Sequence, residues 1–526
     1  MEDVTTPIND STKPHTVEGL LRVVEERDAE VALLKLMVDK LKMQLLRSTR
    51  ARFGSSSEQL DDPQIALLEG EPLYERPASI AVPAADAANV QIDRKLPAHL
   101  PRENQVYRPE TTADHHDANG QTCGCSACGG RLRLIGQDIS EQLEYVPSRF
   151  KVIRHVRPKL ACVACEAIFQ AAAPSRPIAR GVAGPALLAN VLVSKYCDHT
   201  PLHRLSRIYG RDGVIIDPST MAGWVGQGEK LFDPLLAALG RYVLAGEKVH
   251  ADDTPVAVLD PGRGRTKTGR LWVYVRDDRP AGSTQAPAAW YRYSPNRKGE
   301  HPQAHLANYS GILQADAYSG YGKVYASGRV VEASCWAHAR RPFWDLHESQ
   351  GFVAGSIAHQ ALQRIAALYA IEAQIRGQPP EVRRQVRQAR AGPLLEELRA
   401  WLTSTLGKVS KKSELAKAIG YSLSRWRSLT RYRDDGRIEI DNNAAERALR
   451  GVALGRNNYL FMGSDAGGER AAAIYSLVET AKLNGLDPQA YLRDVLARIA
   501  DHPITRIDEL LPWNIGGHLV EQRLAA

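Results

Sequence analysis

What this 526-residue sequence lacks narrows its class before any motif is considered. It has no run of 18 or more uninterrupted apolar residues, so no segment reads as a membrane-spanning helix. The opening stretch MEDVTTPINDSTKPH is polar and has no apolar signal core, so a soluble, cytoplasmic protein is expected, with no membrane partner. Cysteine is scarce outside one stretch: of seven residues, five fall between Cys123 and Cys165. Such crowding in so long a chain argues against a disulfide framework and for a metal site. Acidic charge is also in deficit. Lysine and arginine outnumber aspartate and glutamate by 68 to 60, giving a net charge of +8 and a pI near 9.0, a balance that favours a polyanionic partner.

What is present divides the chain into several folding units, since this length exceeds one hydrophobic core. Val17, Val24, Val31, Val38 and Leu45 recur every seven residues, with Leu20, Leu34 and Leu41 in the complementary positions and Arg27 interrupting that second series. β-Branched residues at a with leucine at d predict a parallel two-stranded coiled coil, making 1–60 a dimerisation segment; an amphipathic helix packed on its own chain is the alternative. Residues 61–121, typified by ERPASIAVPAADAANV, lack periodicity and read as a linker. Short alternating strands are expected over 122–170 and helices over 180–246. In that helical stretch Gly210 and Gly213 break two helices and Asp217-Pro218 starts another, which suits a helix-turn-helix or an ordinary helical hairpin. Three hairpin-linked strands, a helix at HPQAHLANY and two more strands then predict a mixed α/β sheet over 247–340, resumed by helices at 434–485. The Arg-rich helical block 341–433 reads as an insertion, and 486–526 as a C-terminal helical tail.

Three sets of residues carry chemistry. Cys125-x-x-Cys128 and Cys162-x-x-Cys165 are two knuckles able to place four thiolates on one structural Zn²⁺, with Cys123 surplus; two spare C-x-x-C pairs are the alternative. On the run before the second knuckle, Arg149, Lys151, Arg154, Arg157 and Lys159 form a basic stripe suited to phosphate contacts, or a solvated charged face. Asp252 and Asp253 stand inside an apolar strand and Asp316 at the end of another, where an uncompensated charge is costly unless paired or metal-bound. Glu446 has two readings. With Asn443 as N-cap it occupies the N3 position of a capping box; with the aspartates it completes the three carboxylates that a two-metal phosphoryl-transfer site requires. The strand order and these acids fit a ribonuclease-H-like fold.

The sequence resembles the transposases of the insertion sequence 66 family almost end to end. The matching stretches are RFGSSSEQL, LPAHLPRE, the double knuckle, SKYCDHTPLHRLSRIYGRDGV, HADDTPVAVLD, LQADAYSGY, CWAHARRPF, DNNAAERALR and LLPWN. The resemblance implies a multidomain α/β protein in which a coiled coil, a zinc ribbon and a helical region precede a ribonuclease-H-like core with a helical insertion. It implies a DNA transposase of the Asp-Asp-Glu type that cleaves and joins strands at an element's terminal inverted repeats, with two Mg²⁺ (or Mn²⁺) ions at the active site. Its triad maps onto Asp252, Asp316 and Glu446. Where the family reads Asp-Glu-Thr this chain reads Asp252-Asp253-Thr254, so Asp253 is the alternative to the first acid. Implied partners are double-stranded DNA at the element ends and target, a second copy of the chain in a homodimer or higher assembly, and accessory proteins of the same element. Cys335-x-x-His338 in CWAHARR matches a further motif, read as structural because two ligands cannot close a zinc shell.

Overall fold

The computed structural model describes residues 17–53, 96, 98, 100–108, 112–116, 122–124, 131–146, 149–179 and 181–516. They form two compact units. The N-terminal helix α1 (Val17–Phe53) belongs to the first, with Pro280–Gly282 and Ala333–Asp441. Along α1, Val17, Val24, Val31, Val38 and Leu45 are exposed, as are Leu34 and Leu41, whereas Met43 is buried.

The second unit begins with a small sheet. Strands β1 (Arg102–Val106), β2 (Thr112–His116) and β3 (Thr122–Gly124) precede a long hairpin of β4 (Leu132–Val146) and β5 (Arg149–Cys162), followed by β6 (Ile168–Gln170). β4 and β5 pair antiparallel from Leu132–Cys162 to Val146–Arg149, so the expected short strands are instead 15 and 14 residues long. A register shift between Leu134 and Gly136 interrupts the alternation, which is why the sequence reads as separate short pieces. β1 and β2 fall inside the range read as linker. β1 adds parallel to the edge of β5, and its residues RENQV are mostly polar because an edge strand with little burial needs no apolar period.

Helices α2 (Pro185–Tyr196), α3 (Leu202–Arg211) and α4 (Pro218–Leu244) follow. Gly210 lies within α3 instead of ending it, and Gly213, at φ +73°, makes the turn; α4 starts with Asp217 as N-cap and Pro218 in its first turn, as expected. Glu144 of β4 ties the hairpin to α2: its Oε1 accepts from the Leu187 N–H at 2.8 Å, and a Cβ on Gly184 would collide with its carboxylate.

Next come β7 (Lys248–Val258), β8 (Lys267–Arg276), β9 (Ala288–Ser294), α5 (Glu300–His305), β10 (Gly311–Ala315), α6 (Gly322–Ala326) and β11 (Val330–Ala333). The five strands form one sheet in the order β11-β10-β7-β8-β9, with β7, β8 and β9 antiparallel and β10 parallel to β7. Residues 271–275 of β8 are all buried, the pattern of a central strand covered on both faces. The helical block forms α7 (Trp336–Ser349), α8 (Ile357–Ile375), α9 (Pro380–Val386), α10 (Gly392–Leu406), α11 (Glu414–Ser424) and α12 (Trp426–Thr430) in the first unit. There α7 lies against α1. Inside the block, Arg387 donates to both oxygens of Glu372 at 2.8 and 2.6 Å, and Arg383 to both of Glu439 at 2.9 and 3.0 Å. The chain then returns to the second unit with α13 (Asn443–Asn458), α14 (Asp465–Leu483) and α15 (Pro488–Arg498). α14 packs on β9, where Thr480 and Ser476 accept from the Ala289 and Tyr291 N–H groups at 3.1 and 2.8 Å. Side chains from the hairpin, helices and large sheet share one hydrophobic core.

Candidate active site

Parallel pairing of β10 with β7 sets Ala315 opposite Ala251, and each is followed by an aspartate, Asp316 and Asp252. The two carboxylates therefore leave neighbouring strands at the same level. The start of α13 is fixed to this place by Asn442, which precedes it. Its Nδ2 donates to the Ala251 carbonyl at 2.8 Å, and its Oδ1 accepts from Nδ1 of buried His250 at 3.0 Å. Asn442, not Asn443, is the N-cap residue, and its side chain makes no capping bond because it is spent on β7. Glu446 consequently stands one residue beyond the capping-box position. The sequence expectation of a box is corrected by this tertiary use of Asn442.

Asp252 is perturbed both by burial and by the neighbouring acids. Burial pushes the Asp252 pKa up to about 8, against the pull of the Asp253 N–H, which donates to Asp252 Oδ1 at 2.7 Å; the charges of Asp316, Glu446 and Asp253 add to the rise. A carboxylate that cannot hold its charge near neutral pH beside two other acids is a group in need of a cation. The donor set is all oxygen, which fits a hard divalent ion.

Asp253 has a different environment although it is the next residue. Its side chain is only 1% exposed and lies between two arginines: Arg270 donates to Oδ2 at 3.0 Å, and Arg297 to Oδ1 through Nε at 3.0 Å and Nη2 at 2.8 Å. Burial raises its pKa, and the two guanidinium groups oppose that rise. Arg297 also reaches Asp316 Oδ2 at 3.4 Å and lies 4.2 Å over the Tyr318 ring, while the Tyr318 N–H donates to Asp316 Oδ1 at 3.1 Å. The strand pleat gives the two aspartates separate surroundings: Asp253 lies between the two arginines, whereas Asp252 accepts from the Asp253 N–H and feels the charges of Asp316 and Glu446. Arg297, Arg270, Asn442 and His250 were not singled out from the sequence. Arg297 sits in an irregular loop after β9 with no periodic signal, whereas Asn442 in DNNAAERALR could have been found as a buried-polar candidate beside the acid it positions.

A family model described as Transposase IS66 family matches residues 180–470, more than half of the chain. The chain belongs to this family. Models for the zinc-finger binding domain of transposase IS66, the IS66 C-terminal element and the Transposase C of IS166 homeodomain match residues 122–166, 476–513 and 40–104 of the transposase. Among similar proteins, all from Sinorhizobium fredii (strain NBRC 101917 / NGR234), uncharacterized protein y4hP is 40% identical, with 92% of this chain and 88% of that protein covered. Uncharacterized protein y4jD is 37% identical over 95% and 96%, and uncharacterized protein y4qI 40% identical over 79% and 76%.

In the region matched by the zinc-finger model, Cys162 ends β5 and is buried, and Cys165 lies in the turn before β6. That turn is tight: the Cys162 N–H donates to Ala167 O at 2.9 Å, the Glu166 N–H to Cys162 O at 3.0 Å, and Glu166 adopts φ +58°. The Val163 N–H donates to Arg131 O at 2.8 Å, so the chain three residues beyond Cys128 is held against the second knuckle. Cys125 and Cys128 lie outside the described residues, and Cys123 falls in β3. The basic stripe is largely occupied by acids of the same unit. Lys151 pairs with Glu103 at 2.8 Å, Arg154 with Glu141 at 3.2 Å, and Arg157 and Lys159 with Asp138 at 3.6 and 2.7 Å; Arg149 is exposed. These pairs arise because β4 sets Asp138 and Glu141 across the hairpin from Arg157 and Arg154, while β1 brings Glu103 beside Lys151. Cys335 is the buried N-cap residue of α7, with His338 in its first turn, both in the helical unit. Among the described residues, no helix is long and apolar enough to cross a membrane.

Proposed function

We propose that the chain is a DNA transposase of the Asp-Asp-Glu type, acting from a ribonuclease-H-like core on the terminal inverted repeats of its element. The observation that carries this reading is the register that sets Asp252 and Asp316 at the same level of neighbouring strands, with the first turn of α13, which bears Glu446, tied to β7 through Asn442. Supporting it is the sheet order, three antiparallel strands with the first bordered by a parallel fourth and then a fifth. Asp252, Asp316 and Glu446 would hold two Mg²⁺ or Mn²⁺ ions. When bound, the ions activate an attacking oxygen and stabilise the leaving one in an in-line displacement at phosphorus. Water attack at each element end leaves a 3′-OH, and that hydroxyl then attacks target DNA.

The chain's own residues supply positioning. Asn442 and His250 fix the first turn of α13 on β7, which sets Glu446 against Asp252. Arg270 and Arg297 take up the charge of Asp253, leaving Asp252 as the acid directed to the metals. Cys125, Cys128, Cys162 and Cys165 would hold a structural Zn²⁺ at the open end of the long hairpin, where Cys162 pairs with Leu132, and the exposed apolar seam of α1 would pair two copies of the chain.

The test is cleavage of a duplex carrying the element ends, in Mg²⁺ and in EDTA, for wild type and Glu446→Gln. Cleavage by wild type in Mg²⁺ alone is expected, with at least a hundredfold loss in the variant. Because Glu446 is outside the capping-box position, the variant should melt and bind DNA as wild type does. A variant that cleaves at an ordinary rate would show that Glu446 is not a metal ligand.

A further inference from the structure

We propose that the helical block 341–433 presents a surface for the backbone of duplex DNA, centred on Lys408, Lys411, Lys412 and Arg427. This rests on the reading of the chain as a DNA transposase. Residues 341–433 hold 16 lysines and arginines against 7 aspartates and glutamates, while the rest of the chain holds 52 against 53. The whole positive excess of the protein is in this block.

Part of that charge is spent internally. Arg383 and Arg387 are buried on Glu439 and Glu372, Arg384 pairs with Glu381 at 2.6 Å, and Arg433 with Asp434 at 2.9 Å. What remains is concentrated between 408 and 427, where six cations meet one acid, Glu414, itself paired with Lys417 at 2.7 Å. Lys408, Lys411 and Lys412 are exposed in the turn between α10 and α11, and Arg427 is exposed just past the end of α11. No acidic side chain among the described residues pairs with these four. The turn is braced by Ser413, whose hydroxyl accepts from the Ala416 N–H at 3.1 Å and donates to Ser410 O at 2.6 Å. Arg425 is stacked 4.4 Å from the Tyr421 ring, adding a held cation beside Arg427. A helix the length of α11 spans ~16 Å, so the cations at its two ends are about half a helical turn of duplex apart.

Lysine ammonium groups on a braced turn act as point charges and carry no bidentate base readout, so the contact is to phosphates and independent of sequence. The stripe on β5 is the opposite case, its cations already facing acids.

The experiment uses the full chain and a duplex of arbitrary sequence, with affinity measured by fluorescence anisotropy between 50 and 200 mM salt. The variants are Lys408→Ala/Lys411→Ala/Lys412→Ala and, separately, Lys151→Ala/Lys159→Ala. The triple variant should bind at least tenfold more weakly, with the slope of log affinity against log salt reduced by about 2 to 3, near 0.9 per lost phosphate contact. The double variant should keep the wild-type slope. Since the three lysines are exposed, the triple variant should melt with wild type. If wild type binds the duplex and the triple variant binds it with unchanged affinity and slope, this surface is refuted and the transposase reading stands. If wild type does not bind duplex DNA at all, both fail.

Discussion

Asp252→Asn and Asp253→Asn change adjacent residues by the same atoms, yet the structure assigns them opposite effects on stability. Asp252 carries a pKa raised to about 8 by burial and neighbouring acids. A raised carboxyl pKa means that the native state retains a proton the unfolded chain has lost. Its cost to folding is absent below about pH 4, grows as pH rises from 4 to 8, and is complete above 8. Each pKa unit corresponds to ~1.4 kcal/mol, and after discounting for the partial exposure of the site a relief of ~2 kcal/mol at pH 8 is expected for Asp252→Asn. Asp253 is the reverse case. Its loss leaves Arg270 and Arg297 without the buried acid they share, and removing one partner of such a set costs about 3 kcal/mol. Thermal melting of the metal-free protein at pH 5 and pH 8 separates the two. Asp252→Asn should melt several degrees above wild type at pH 8 and near it at pH 5, and Asp253→Asn below wild type at both. If Asp252→Asn lowers the melting temperature at pH 8 as much as its neighbour does, the separation of roles is wrong. End cleavage should be abolished by Asp252→Asn in a protein that remains folded.

Asn442→Ala removes two hydrogen bonds that hold α13 on β7 and should cost ~2 kcal/mol, lowering both melting temperature and cleavage; retained cleavage with a lowered melting point would show that Glu446 is positioned by other contacts. Cys162→Ser should eliminate bound zinc in metal analysis and destabilise the open end of the β4–β5 hairpin, while Cys123→Ser should retain a full equivalent; less than one zinc per wild-type chain would remove the proposed site. Leu34→Glu with Leu41→Glu should halve the sedimenting mass if the exposed seam of α1 pairs two chains, and an unchanged mass would place self-association elsewhere.

Much of the site was legible in the sequence because charge inside an apolar run is conspicuous. VHADDTPVAVLD and LQADAYSGY each place aspartate directly after buried residues, Ala251 and Ala315, and an acid so placed must find a partner whatever the fold. The order of strands and helices from Lys248 to Ala333 was likewise readable, since short apolar, β-prone runs bounded by turn residues mark strands even where both faces are buried. The long β4–β5 hairpin was read as shorter pieces because its shift near Gly136 breaks that period, and β1 was missed because an edge strand of polar residues has none.

Sequence by itself thus pointed to the strands and helices from Lys248 to Ala333 and to the candidate acids and cysteines, all of which depend on residue type and local spacing. Only the tertiary structure decided which aspartate is taken by Arg270 and Arg297, because the pleat separates neighbours that sequence leaves equivalent. It also decided that Glu446 is not part of a capping box. Asn442 has a choice of partners, its own helix or β7, and its side chain goes to the carbonyl of Ala251 and the imidazole of His250, nearly two hundred residues away, where a buried polar group would otherwise go unsatisfied.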